Sequence, residues 1–435
     1  MAKRLTYYIL AGLVLGIFTG WAINAALDDG TPAATARLAD VASYFSIVTT
    51  LFLRLIKMII APLVFSTLVV GIAHMGDTAA LGRVGLKALF WFICASLVSL
   101  TLGLILVNLL QPGVGLDFAV PAANAASGVE RSSFNLTQFI THLVPQSIFE
   151  AMATNEILQI VIFSLFLGVA ITAVGEPARP LVRGAEALAK VILQVTDYVM
   201  RLAPIAVFAA VTAAIAERGP QIIGTFGYFI ASFYAGLAIL WALLIGACFL
   251  VAGRPARRLV RYIREPALLA FSTASSEAAF PRTLEALDRF GVPPRIASFV
   301  LPLGYSFNLD GSMMYMTFAT IFIAQAYGID LSLGQEIAML LVLMVTSKGI
   351  AGVPRASLVI IAATLTMFNL PEAGVLLVLA VDHFLDMGRS ATNVVGNAVA
   401  SVVVARWEGS LDAPEPPEIE PPHAPSHRAP PPPES

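Results

Sequence analysis

Six apolar windows fill the first part of the chain, at about Leu5 to Leu27, Val41 to Ile72, Lys87 to Leu110, Phe139 to Val174, Leu188 to Ala216 and Gly227 to Val251. Most reach the ~20 residues a helix needs to cross a bilayer. Hydrocarbon offers no partner to a free peptide group, so a chain built of such windows folds as helices whose backbone bonds close within each segment. The expected fold class is therefore an all-α membrane protein. Bulk composition agrees: 58% of the 435 residues are hydrophobic, 12% are charged, the mean hydropathy is +0.82 and the formal net charge is −2. That balance leaves no basic surface for nucleic acid. Cys94 and Cys248 both lie in apolar runs without metal-ligand spacing, which reads as packing.

Lys3, Arg4 and the apolar run ending at Ala25-Ala26 have the outline of a signal peptide, but further spans follow, so this is read as a first span of the mature protein. Basic residues (Lys3, Arg4, Arg83, Lys87, Arg179, Arg183 and the group Arg254, Arg257, Arg258, Arg261, Arg264) fall at alternate ends of successive spans. By the positive-inside rule the N-terminus, and with it the C-terminus, is expected to be cytoplasmic in a multi-pass inner-membrane protein. Between Pro414 and Ser435 lie ten of the 27 prolines, among Glu, Ser and His, so residues 410–435 are expected to form a disordered tail.

From about Arg258 the pattern changes. Small and polar clusters interrupt the apolar segments at Ser272 to Ser276, Asn308 to Ser312 and Ser347 to Pro354. Irregular backbone survives at membrane depth only where it lines a cavity or is buried in protein, so these clusters predict broken helices and re-entrant hairpins. The stretch Val381 to Asn397 then places Asp382, Asp386, Arg389, Asn393 and Asn397 three or four residues apart, on one helical face, with Phe384, Leu385, Val394 and Val395 on others. Charges at membrane depth are costly enough to mark a functional site. The planar fork of Arg389 suits a carboxylate, and Asp386 one turn away both balances it and can accept an ammonium. A purely structural ion pair is the plainer alternative. Faint internal echoes, Ala61-Pro62-Leu63 against Ala203-Pro204-Ile205 and one hairpin-then-helix unit against another, point to the inverted repeats of secondary transporters.

These residues carry a family resemblance. SSEAAFPRTLEAL, GYSFNLDGS, FIAQAYGIDLS, MVTSKGIAGVP and DHFLDMGRSATNVVGNAVASVVVARWEG stand in one order between Phe271 and Gly409, and the likeness runs from about Tyr8. The chain resembles the dicarboxylate/amino acid:cation symporters, most closely the bacterial proton/glutamate-aspartate symporters. The resemblance implies eight transmembrane helices plus two re-entrant helical hairpins in a homotrimer. It divides residues 1–409 into a scaffold (roughly 5–75 and 139–216) and a transport core (roughly 85–111 and 227–407) that moves as an elevator. It implies that Arg389 holds the side-chain carboxylate of an acidic amino acid, Asp386 its ammonium and Asn393 its main-chain carboxylate. Ser275, Ser276, Ser312, Ser390 and the Val353 backbone would complete the pocket.

For the co-transported cation, the resemblance implies sites at Gly304, Ser306, Asn308, Asp310, Asn393, Asn397, the carbonyls of Ser347, Lys348 and Ile350, and a third-helix hydroxyl at Ser96. Oxygen-only sites suit sodium. Two positions depart from the sodium-coupled pattern: Asn397 replaces an aspartate, and Ala95, beside Ser96, replaces a threonine. One lost charge and one lost hydroxyl favour proton coupling, with sodium as the second reading and Glu277, Asp310 and Asp382 as proton-carrying candidates. The acidic position used by the animal relatives is Met316 here, which closes that route.

Arg355 stands where the family has glycine after Val353-Pro354, at the gate, and either snorkels to water or favours diacids, with Glu277 as its candidate counter-charge. The expected function is import of glutamate or aspartate, the alternative a C4-dicarboxylate symporter. An enzyme is disfavoured: Ser347 and Lys348 are adjacent, point about 100° apart on a helix and cannot share a proton, and no cofactor or phosphate-binding loop is evident. A site built from opposite charges suits a carrier better than a channel. Lys57, Arg54 and Arg201 read as interfacial anchors, and His142 and His383 lack a metal-spaced partner.

Overall fold

The computed structural model of the chain describes residues 2–75, 78–115, 141, 143–219, 221–347 and 356–411. Residues 412–435 of the expected tail, His142, and Lys348, Ile350, Val353 and Arg355 of the expected second hairpin tip lie outside the described residues. Every regular element described is helical. The first group is α1 (Ala2–Leu27), α2 (Pro32–Met75), α3 (Thr78–Leu110), α4 (Ile148–Ala153), α5 (Ile157–Val174), α6 (Arg179–Met200), α7 (Ala203–Arg218) and α8 (Gln221–Ala252). The second is α9 (Ala256–Thr273), α10 (Phe280–Phe290), α11 (Pro294–Phe307), α12 (Asp310–Ala326), α13 (Leu333–Thr346), α14 (Ala356–Met367) and α15 (Val375–Trp407).

Among the described residues five helices are long and apolar enough to cross a membrane, or six if α6 and α7, bent by 50° at Arg201-Leu202, form one broken span. That matches the six apolar windows in number and makes the chain a multi-pass membrane protein. The fourth window is shorter than expected. Its apolar helix is Ile157–Val174, because Asn155 takes a left-handed conformation (φ 55°) and separates α4 from α5. Beyond these, α15 carries Asp382, Asp386, Arg389, Asn393 and Asn397 along its length, and Asn308 and Asp310 stand at the junction of α11 and α12.

Two packing groups meet along α2. Helices α1, α5, α6 and α7 each pack against α2, with α1 also laid along α7, while α15 lies between α8, α9, α11 and α12, and α3 runs along α12. The main core is an apolar cluster that reaches from Ile9 to Ala405, with a smaller one at Val69, Ile171, Ala178 and Ala185. α2 is 44 residues long, which at 1.5 Å per residue exceeds the thickness of a bilayer. It accommodates Pro62 internally, and the Ser66 hydroxyl donates to the Pro62 carbonyl at 2.7 Å. Cys248 is buried as expected, but Cys94 is exposed on α3, so it covers the outer surface and not the core.

The first expected hairpin is present: α9 ends at Ala274 in a left-handed conformation (φ 48°), and α10 returns against it. A capping box at Ser332 and Gln335 starts α13, which ends at Thr346. At the far end, Lys87 of α3 donates to Glu408 at 2.6 Å and to the Trp407 carbonyl at 2.8 Å, tying the C-terminal end of α15 to the start of α3.

Candidate functional site

The polar face of α15 is buried among α12, α8 and α9, and its charges are partnered locally. Arg389 is 4% exposed; its Nε donates to Asp386 Oδ1 at 2.7 Å and its Nη1 to Asp382 Oδ1 at 3.0 Å. The guanidinium also lies 4.4 Å from the centre of the Tyr315 ring, and the Tyr315 hydroxyl donates to the same Asp382 oxygen at 2.8 Å. Asp382 is thus a buried counter-ion, fixed from two sides. Asp386 differs: its side chain is 30% exposed, against 7% for Asp382. Its Oδ1 accepts from Arg389 and from the Ser390 hydroxyl at 3.1 Å, and its Oδ2 takes no hydrogen bond among the described residues. One guanidinium against two carboxylates leaves the cluster one net negative charge, open on the Asp386 side.

One turn further along α15, Asn393 bridges to the start of α12. The break at Asn308-Leu309 frees the first amides of α12, and Asn393 Oδ1 accepts from Gly311 N at 2.9 Å and Ser312 N at 3.3 Å while its Nδ2 donates to Ser312 Oγ at 3.2 Å. Asn397 lies on the same face: its Oδ1 accepts from Asn308 Nδ2 at 3.2 Å, and that nitrogen also reaches Asp310 Oδ2 at 3.0 Å. Asp310 is fully buried. Its other oxygen meets the Ser99 hydroxyl at 3.3 Å. Two polar atoms here are buried without a hydrogen-bond partner, Asn308 Oδ1 and Asn397 Nδ2. An orphaned carbonyl oxygen beside a buried carboxylate is the donor chemistry that a hard monovalent cation takes.

Close backbone approach makes this arrangement possible. A Cβ on Gly396 would collide with Asp310 Oδ2, and one on Gly304 with Asn397 Oδ1. α15 therefore touches the α11–α12 break without a side chain between them.

The other expected residues stand around this centre rather than in it. Ser275 Oγ accepts from Ala278 N at 3.2 Å and so caps its own hairpin tip, and the Ser276 carbonyl accepts from the Tyr305 hydroxyl at 2.9 Å. Ser347 is buried at the end of α13, with its hydroxyl on the Met344 carbonyl at 3.0 Å. Ser306 and Glu277 line a small cavity with Ile60, Asn155, Glu156 and Tyr305, whose lining does not include the Arg389 cluster. Ser96 is buried on α3, and Ser99, one turn away on the same helix, sets its hydroxyl against Asp310. Tyr315 is a second residue that the sequence does not reveal: an aromatic inside the apolar run MMYMTF carries no local sign that it faces an arginine. Trp241, whose Nε1 donates to Thr392 Oγ1 at 2.8 Å, likewise holds α15 from behind.

Broken helices converging on a buried arginine-carboxylate cluster in a multi-pass helical protein define a membrane transporter. The chain belongs to the sodium:dicarboxylate symporter family, whose model matches residues 5–407. It is 40% identical over 416 residues to the proton/glutamate-aspartate symporter of Escherichia coli (strain K12), covering 94% of both chains. It is 37% identical over 413 residues to the proton/sodium-glutamate symport protein of Bacillus caldotenax, covering 94% of this chain and 95% of that one. The C4-dicarboxylate transport protein of Laribacter hongkongensis (strain HLHK9) is 38% identical over 419 residues, with 94% and 91% covered.

Proposed function

We propose that the protein is a secondary symporter that imports acidic amino acids, glutamate or aspartate, across the bacterial inner membrane. The observation that carries this reading is the unequal pair of carboxylates around Arg389: Asp382 is sealed in as a counter-ion, while Asp386 remains 30% exposed with one oxygen unengaged. An amino acid brings an ammonium for that oxygen and a carboxylate for the Arg389 fork. A plain diacid brings two negative charges and no ammonium to a cluster that is already net negative. The relatives named for glutamate and aspartate transport point the same way, although one named for C4-dicarboxylates is of similar identity.

Symport follows from the charge count. An acidic amino acid is itself an anion, and a second negative charge added to the Arg389 cluster is strongly unfavourable in a low-dielectric site unless a cation or proton enters with it. Asp310 adds a further carboxylate nearby. Proton coupling is preferred, because Asn397 leaves its amide where an additional acid would hold sodium. Sodium is the second reading on one observation, the orphaned Asn308 Oδ1 beside Asp310. In substrate binding, Asn393, Ser312 and Ser390 border the Arg389 cluster, and the first hairpin tip at Ser275 and Ser276 serves as its cover.

For the working cycle, α1, α2 and α4 to α7 serve as the scaffold of a homotrimer with both termini cytoplasmic. α3 and α8 to α15 move as the transport core. The deciding experiment is uptake of labelled aspartate, glutamate and succinate into proteoliposomes under separately imposed proton and sodium gradients. Aspartate or glutamate uptake driven by a proton gradient in sodium-free buffer is the expected result. Succinate uptake that exceeds both amino acids would reject the substrate assignment, and uptake that ignores the proton gradient would reject the coupling.

A further inference from the structure

Behind the Arg389 cluster, on the outer side of α15, lies a groove of about 420 Å³ between α8, α9 and α15. Its walls are apolar, with Leu237, Ile245, Ile263, Ala267, Leu268 and Ala391 among them. The polar tips of its two amphipathic aromatics are turned away from the space: Trp241 Nε1 donates to Thr392 and the Tyr234 hydroxyl donates to the Phe384 carbonyl at 2.6 Å. The walls therefore offer hydrocarbon and nothing that must be hydrogen-bonded.

The rim is different in kind. Arg264 lines the groove, and Arg257, two turns earlier on the same stripe of α9, sits with its guanidinium 5.1 Å from the centre of the Phe249 ring on α8. Both are exposed, as are Arg254, Arg258 and Arg261, and none of the five forms an ion pair among the described residues. An apolar slot of this size with unpaired guanidiniums at one end is complementary to an amphiphile with an anionic head. In a membrane protein that occupant is a phospholipid.

We propose that this groove is a specific binding site for an acidic phospholipid, with one acyl chain along α8 and α15 and the phosphate between Arg257 and Arg264. Arginine suits the head because its fork matches phosphate oxygens in pairs. The lipid then rests against Gly388 and Ala391, which lie beside Arg389 and Ser390 on α15. The site supports the helix that carries the transport residues without touching them. This inference needs neither the substrate nor the coupling ion assigned above.

The test is lipid retention by the full-length protein. Protein purified from vesicles of phosphatidylglycerol and phosphatidylcholine in equal amounts is examined by native mass spectrometry, alongside R257Q/R264Q, R258Q and A238F. Arg258 lies on the same helix but well off the groove stripe, and Ala238 is an exposed groove residue where a phenyl ring would fill the slot. The wild type and R258Q are expected to retain phosphatidylglycerol preferentially. R257Q/R264Q should lose that preference by on the order of tenfold, since each basic residue near an anionic head contributes to its binding, and A238F should lose the lipid altogether. Equal retention of the two lipids by the wild type, or equal loss in R258Q and R257Q/R264Q, would overturn the proposal. So would full displacement of phosphatidylglycerol by inorganic phosphate, which would mean that only the anion is recognised, or a change in oligomeric mass in place of lipid count in A238F, which would mean that a second copy of the chain fills the groove. If A238F does not fold, the arginine variants decide alone.

Discussion

Arg389 gathers every strong interaction at the centre of α15: two carboxylates, one hydroxyl held through Asp382, and the face of Tyr315. Replacing it with alanine removes the carboxylate partner and leaves two like charges facing each other. Arg389→Ala is expected to lower affinity for acidic amino acids by on the order of 30-fold or more, read from competition in proteoliposome uptake. Unchanged aspartate affinity would reduce the arginine to a structural ion pair. Tyr315→Phe keeps the ring and removes the bond to Asp382, so it should weaken the same affinity by roughly tenfold without loss of folded protein. The pairing of Asp386 with Arg389 is legible in the sequence because both sit one turn apart on one helical face. The Tyr315 and Ser99 contacts are not, because they depend on which turn of a neighbouring helix arrives opposite, and the spacing within a single segment carries no information on that. The family resemblance points to Ser96 as the third-helix hydroxyl, and Ser99, whose hydroxyl meets Asp310, joins it from the structure. The charge at position 397 provides a separate prediction: Asn397→Asp should add or strengthen sodium stimulation of uptake, because a carboxylate beside Asn308 and Asp310 favours a bound cation by Coulomb attraction. A sodium response identical to that of the wild type would remove Asn397 from the coupling argument.

The helices around the site are broken where the sequence is small and polar, and each break has a physical use. At Asn308-Leu309 the chain leaves the helix, and the freed amides of α12 are taken by Asn393 on α15. The Ser272 to Ser276 cluster forms a hairpin tip, held by the return of Ser275 N to the Ala270 carbonyl at 3.1 Å. Such breaks can be read from sequence, since a small and polar run inside an apolar segment must be enclosed by protein or line a cavity at membrane depth. What the sequence conceals is how close two elements come. Gly396 is one of several small residues on α15, yet it is the point where that helix meets Asp310 without room for a methyl group. Gly396→Ala is expected to abolish uptake, and circular dichroism should show that helix content is retained. Normal uptake by this variant would mean that α15 and the α11–α12 break are not in firm contact during transport. The break at Asn155 is hidden for a related reason: a single non-glycine residue in the left-handed region (φ 55°) leaves no compositional trace.

At the scale of the whole molecule, the proposed division into a scaffold and a moving core requires that contacts between the two groups be few and breakable. α6 and α10 share one such contact: Arg282 Nη2 donates to Asp197 Oδ1 at 2.7 Å while its Nη1 holds Glu285 of its own helix at 2.7 Å. Arg282 is mostly enclosed, but Asp197 is 48% exposed, so the pair is partly solvated and its contribution to stability is small. A partly solvated ion pair is a contact that can be broken and remade in each cycle at little energetic cost. An elevator movement of the transport core would carry α10, with Arg282, away from Asp197. Cysteines at both positions, joined by a short bifunctional thiol reagent, should therefore arrest uptake in the full-length protein. The native Cys94 and Cys248 are replaced by alanine in the same background so that only the intended pair reacts. Each single-cysteine variant treated with the same reagent should retain uptake, which separates arrest by bridging from damage by modification. Reversal of the bridge with a reducible reagent should restore transport, tying the arrest to the link itself. If the bridged protein transports at the rate of the unbridged one, α10 does not move relative to α6, and the transport core must be redrawn without the first hairpin.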